Sequence, residues 1–211
     1  MKYRSFALLS LIVAVVFLSG CIYDDDHYQT TPVGYQYIFE ETFDNDTRGW
    51  AFDDPIDSAY ALVQNGEYKF VDYSKAGGVH IPVVATGANV DKNFLVQSRL
   101  ESNYAMALIF GAAPGVYGYS FYIDDAGYFA VYNEGGSNQS FKTLIDWTES
   151  NAIKSGGYND VAIEQKGNRW YFYINNTEVA TISAQYLSGN RFGFMVLAGT
   201  TCYADDLIVK W

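Results

Sequence analysis

From Tyr37 to Trp211 apolar and polar residues alternate with a period of two, broken at short intervals by turn-forming residues. The runs begin with Tyr37-Phe39-Glu41-Phe43, Glu67 to Asp72, Phe94-Val96-Ser98-Leu100, Tyr104-Met106-Leu108-Phe110, Tyr117-Tyr119-Phe121-Ile123 and Tyr128 to Tyr132. They continue through Val161-Ile163-Gln165, Trp170-Phe172-Ile174, Val179 to Ile182, Phe192-Phe194-Val196 and Leu207-Val209-Trp211. Asp125-Ala126-Gly127, Lys166-Gly167-Asn168 and Asn175-Asn176 supply turns between them. Successive strand side chains point to opposite faces, so each run reads as a half-buried strand. Roughly a dozen strands at this spacing predict an all-β, two-sheet antiparallel jelly-roll sandwich. No stretch sustains a helical period, although a short helical turn is expected near Trp147 to Ile153. The hairpins share no repeated sequence, which argues against a repeat array.

The N-terminal region follows a different pattern. Lys2 and Arg4 precede an apolar run from Phe6 to Leu18, and Leu18-Ser19-Gly20-Cys21 follows. A spanning helix needs roughly 20 apolar residues, so this shorter run reads as a cleaved export signal over residues 1–20. Residues 21–36 are mostly polar, with Asp24-Asp25-Asp26 and Pro32, and read as a tether. Residues 37–211 form the single folded domain, long enough for a sizeable core.

Charge and cysteine usage narrow the classes further. The chain carries 24 acidic and 13 basic side chains, a net charge of -11. Loss of Lys2 and Arg4 with the signal would make it -13. Such a surface repels nucleic acid, which is excluded as a partner. The 19 Tyr and 19 Gly fit strands joined by tight turns. With Cys21 claimed by processing, Cys202 has no partner for a disulfide or a cysteine zinc site, and reads as a small buried hydrophobe.

Two resemblances sharpen this picture. Leu18-Ser19-Gly20-Cys21 resembles the lipobox of bacterial lipoproteins. That resemblance implies acylation of Cys21, cleavage before it and anchoring in the envelope, with the membrane as a partner through lipid. Two or three acyl chains, at about 0.8 kcal/mol per buried CH₂, hold a protein stably where one does not. Ile22 after the cysteine argues against inner-membrane retention, and the three aspartates are similar to surface-export signals of Bacteroidetes lipoproteins. An outer-membrane, surface-exposed location is the expectation, a plain solvated linker being the other reading of the aspartates.

The second resemblance covers residues 37 to 211. Phe39-Glu40-Glu41-Thr42-Phe43 with Gly49-Trp50, Asn65-Gly66-Glu67-Tyr68, Tyr119-Ser120-Phe121-Tyr122-Ile123, Trp170 to Asn175 and Ala204 to Val209 together resemble the concanavalin A-like lectin/glucanase superfamily. The match is nearest its laminin-G-like and keto-disaccharide-hydrolase-like branches. That fold hosts lectins, hydrolases, lyases and structural modules, so it speaks to architecture before activity.

Three chemistries bear on these residues. Hydrolytic laminarinase-like members carry a Glu-x-Asp-x-x-Glu pattern, absent from this sequence. No catalytic residue is therefore assigned, and His80, in Val79-His80-Ile81, reads as a structural or rim residue. Sugars stack on aromatic rings while polar side chains bond their hydroxyls. Alternation turns Gln97, Arg99, Tyr122, Glu164, Tyr171 and Tyr173 away from the core, and these are the candidate ligand-binding residues on one concave face. The same tyrosines also suit ordinary half-buried strand positions. Finally, the superfamily resemblance implies a structural calcium ion where first and last strands meet. Glu41, Asp44, Asp205 and Asp206 are its candidate ligands, and alternation admits only one of Asp205 and Asp206. The reading that results is a non-catalytic lectin-like module binding a glycan or partner at the envelope. A glycoside hydrolase or lyase, and a structural or assembly component, are the alternatives.

Overall fold

The computed structural model describes residues 34–56, 58–75, 79–137 and 139–211. The expected export signal, Cys21 and the three aspartates lie outside the described residues. Among the described residues there are sixteen strands and no helix. The first six are β1 (Ile38–Glu41), β2 (Phe52–Asp54), β3 (Ala59–Gln64), β4 (Glu67–Asp72), β5 (Val79–His80) and β6 (Val83–Ala85). Next come β7 (Phe94–Ser102), β8 (Ala105–Ala112), β9 (Val116–Asp124), β10 (Tyr128–Gly136) and β11 (Lys142–Glu149). The last are β12 (Asn159–Lys166), β13 (Arg169–Ile174), β14 (Thr177–Ser183), β15 (Arg191–Leu197) and β16 (Thr201–Lys210).

They form two antiparallel sheets. The nine-stranded sheet runs β14-β13-β12-β7-β16-β4-β3-β2, with β1 also on β16; the seven-stranded sheet runs β11-β10-β9-β8-β15-β5, with β6 also on β15. The expected jelly-roll sandwich is what forms. Its core is built from the inward half of each alternating run. Trp170 sits edge-on to Phe110 and Tyr119, with ring centroids 4.9 and 4.8 Å away, and Phe121 meets Phe172 at 5.0 Å. Each ring fully removed from water contributes about 1.5–3 kcal/mol. The buried indole NH of Trp170 donates to Gln165 Oε1 at 2.8 Å, leaving no unsatisfied donor there.

Local chemistry sets the turns. Asn175 and Asn176 both take positive φ, 49° and 64°, and close the β13–β14 hairpin, a conformation asparagine tolerates well. Cys202 is buried and free, and burial pushes its thiol up to about 12. The structure differs from the sequence reading at Trp147. No helical turn begins there: the residue lies within strand β11, which pairs with β10 through two register shifts. Those shifts break the simple alternation that would have marked the strand.

Candidate functional site: an aromatic row on the outer face of the seven-stranded sheet

Strand β8 is buried along its whole length, on both faces. Its inward side chains, Met106, Leu108 and Phe110, join the sandwich core, whereas Ala105, Ala107 and Ile109 belong to a second cluster with Tyr122, Ala130 and Met195. That cluster lies on the sheet's outer face. The register explains the cover over Ala107. This residue pairs with Tyr122 on β9 and with Met195 on β15, so Tyr122 reaches across it and its hydroxyl meets the Met195 sulfur. An alanine between the two leaves room for the ring.

Tyr122 is an inner member of a continuous row of rings. It contacts Trp147 and Tyr132, each at 5.8 Å between centroids, and Tyr132 contacts Phe141 at 5.2 Å. Burial grades along the row: Tyr122 is 5% exposed, Tyr132 half-buried, and Trp147 and Phe141 are 40% and 60% exposed. The outer rings thus offer open apolar surface, and the inner ones fix their backing. Ser120 and Glu134 stand beside them on neighbouring strands and are hydrogen-bonded, serine hydroxyl to carboxylate. Burial raises the Glu134 carboxyl above its usual range, against the lowering effect of the Ser120 bond. Burial, then the charges of Asp146 and Glu134, raise the Tyr132 phenol. Tyr132 therefore stays a neutral donor at physiological pH. Rings for stacking and a carboxylate for hydroxyl protons meet within one surface.

The sequence-predicted ligand residues divide between the two sheets. Tyr122 lies in this row. Gln97, Arg99, Glu164, Tyr171 and Tyr173 lie on the outer face of the other sheet, joined there by the β7–β12–β13 register. One face lined by all six does not exist, because the two sheets back onto a common core and their outer faces point apart. On the nine-stranded sheet, Gln97, Arg99 and Tyr173 line a depression of about 200 Å³ with Asp160, Asn176 and Asp206. Among the described residues its one cation, Arg99, is already paired. Arg99 Nη1 lies 2.7 Å from Asp205 and its guanidinium covers the Tyr158 ring. Glu164 accepts from Tyr35 at 2.9 Å and pairs with Lys166 at 2.8 Å. The Lys166 ammonium also lies over the Tyr171 ring.

The four acids expected to gather round calcium do not converge, and among the described residues no group of three or more His, Cys, Asp or Glu could hold a metal. Glu41 turns inward: its carboxylate accepts from Trp50 Nε1 and Arg48 Nη1, both at 2.9 Å, and from the Phe43 backbone at 3.2 Å. Asp44 instead accepts from Thr42 Oγ1 at 2.7 Å. Asp205 and Asp206 both reach the outer side, contrary to alternation, because a bulge at Asp206, with φ of 55°, inserts an extra residue. Burial, then the nearby Asp205 and Glu40 charges, raise the Asp206 carboxyl. His80 is partly exposed, with Nε2 3.3 Å from buried Asp72.

Trp147, Tyr132, Phe141 and Glu134 were missed from sequence. The usable signal was aromatic residues at both ends of the 128–147 segment, but only register brings them together. Neither a protein-family model nor a curated protein matches the chain. Solved structures do match. The CBM2 module of the evolved Dit of Lactobacillus casei BL23 phage J-1 is 14% identical, with a TM-score of 0.53 over 82% of this chain and 94% of that one. A sialidase is 12% identical, with a TM-score of 0.50 over 74% of this chain and 16% of the sialidase. A carbohydrate binding module, CBM66 from Bacillus subtilis, is 16% identical at a TM-score of 0.48, covering 82% of this chain and 95% of that one. At such identities the likeness defines fold alone: a jelly-roll β-sandwich.

Proposed function

We propose that this protein is a carbohydrate-binding module, lipid-anchored through Cys21 at a bacterial cell envelope. The observation that carries the binding half is the row Trp147–Tyr122–Tyr132–Phe141, with its exposed ends and the Ser120–Glu134 pair alongside. Exposed rings backed by buried ones lose little entropy on stacking a sugar, and the adjacent carboxylate orients it. The CBM2 module of the phage Dit, which shares the fold, agrees with this class of ligand. The anchoring half rests on the lipobox resemblance at Leu18 to Cys21. Affinity electrophoresis of the full chain against a polysaccharide panel tests binding. Retardation by at least one polysaccharide, abolished in Trp147→Ala, is expected; no retardation by any would refute it. Metabolic acyl labelling, lost in Cys21→Ser, tests the anchor.

One observation favours a second reading, a glycoside hydrolase. Glu134 is a carboxyl raised by burial inside an aromatic surface, and Asp146 acts on the same Tyr132. Raised carboxyls serve as general acids in sugar hydrolysis. Release of reducing ends from a bound polysaccharide, lost in Glu134→Gln, would establish it.

A further inference from the structure

A second concavity lies at the sandwich edge, where the segment after β1 meets the short strands β5 and β6. It measures about 420 Å³ and is lined by Arg48, Phe52, His80, Pro82, Val84 and Arg191, among others. That volume falls within the roughly 300–1,000 Å³ of small-ligand sites, unlike the depression on the nine-stranded sheet. Among the described residues no carboxylate lines it, although the chain as a whole is strongly acidic.

The charges around it leave one cation unmatched. Arg48 is neutralised by Glu41 at 2.9 Å, and it also covers the Phe39 ring. His80 faces Asp72 at 3.3 Å. Arg191 is half-buried on β15 and has no ion pair or hydrogen bond from its side chain among the described residues. A partly desolvated guanidinium without an anion is costly, and its planar fork suits a carboxylate in two parallel bonds. Pro82, Val84 and Phe52, which also line the cleft, supply apolar surface of the kind that accepts a sugar ring's C–H face.

We infer that this cleft binds one carboxylate-bearing sugar residue, a uronic acid, with Arg191 as the specificity-determining contact. The saccharide part rests on the proposed carbohydrate-binding function; the anion part rests on Arg191 alone. The cleft shares no lining residue with the aromatic row, although Ile81 and Val83 in its wall pack on the same outer-face cluster as Tyr122.

The test is calorimetric titration of the full chain with galacturonate, glucuronate, mannuronate and guluronate oligosaccharides and their carboxyl-reduced counterparts. Arg191→Met, which keeps the aliphatic stem, is titrated in parallel, and thermal melts confirm that it folds. Support is an acidic oligosaccharide bound at least tenfold more tightly than its reduced form, with that preference lost in Arg191→Met. An unchanged preference in the variant, or no acid preference in the wild type, overturns the inference. Acetate competing as well as free uronate would mark a plain anion site and overturn the sugar assignment. Neutral oligosaccharides that still bind, and lose binding in Trp147→Ala, leave the aromatic-row reading standing while this one falls. No binding of any saccharide removes both.

Discussion

Replacing Glu41 by alanine tests how the first strand is locked to the core. Glu41 is 4% exposed, and its carboxylate satisfies the Trp50 indole NH, the Phe43 backbone NH and the Arg48 guanidinium at once. Trp50 and Phe43 are themselves buried, so the truncation strands two donors in the core. Each stranded buried donor costs about 1–3 kcal/mol. Arg48 is 38% exposed, so water takes up much of its lost pairing and little is added for it. The expected loss is about 2–6 kcal/mol, which for a chain of this length lowers Tm by roughly 4–24 °C. Glu41→Gln keeps one acceptor oxygen and should lose about 1–2 kcal/mol. Scanning calorimetry with and without added calcium is the assay, because the superfamily resemblance implies Glu41 as a calcium ligand. A loss below about 1 kcal/mol in the alanine variant would refute the network. So would a calcium-dependent rise in Tm present in the wild type and absent in Glu41→Ala.

Other consequences are equally direct. Glu134 has a folded-state carboxyl raised above its unfolded value, so ionising it destabilises the fold. The native state then holds the proton more tightly than the unfolded one, and this group's contribution falls as pH climbs from its unfolded to its raised folded value. Glu134→Gln should therefore raise Tm at neutral pH, with the gain fading as pH falls below the unfolded carboxyl value, checked by melts across acid pH. Cys202, its thiol pushed up to about 12 and buried, should resist alkylation in the native protein and react only after denaturation, as read by mass shift. Gly193→Ala should destabilise by about 1–3 kcal/mol, since its Cβ would fall 2.1 Å from the Pro82 carbonyl and force the β5–β6 edge outward. Denaturant melts measure this.

The fold was legible because alternation reports burial strand by strand. Phe94-Val96 and Trp170-Phe172-Ile174 enter the core as their pattern required. What alternation cannot report is which sheet a strand joins. Tyr122 and Tyr173 look equivalent in sequence, each pointing away from the core, yet they lie on opposite outer faces. The bulge at Asp206 likewise reverses a parity that sequence alone takes for granted. Trp147 was hidden by the register shifts of β11, and Glu134 gained its character only when β9 brought Ser120 beside it. Arg191 carries no sequence signal, because its lack of a side-chain partner among the described residues is visible only in the fold.

The central claim is that the aromatic row binds a sugar chain. Its most direct measurement is the affinity of the full chain for whichever polysaccharide retards it, compared with Trp147→Ala and Phe141→Ala. Both side chains are exposed, so their removal should leave Tm within a few degrees of wild type. The account predicts at least a tenfold loss of affinity in each, about 1.4 kcal/mol. Wild-type affinity in both variants, with the fold intact, would contradict it.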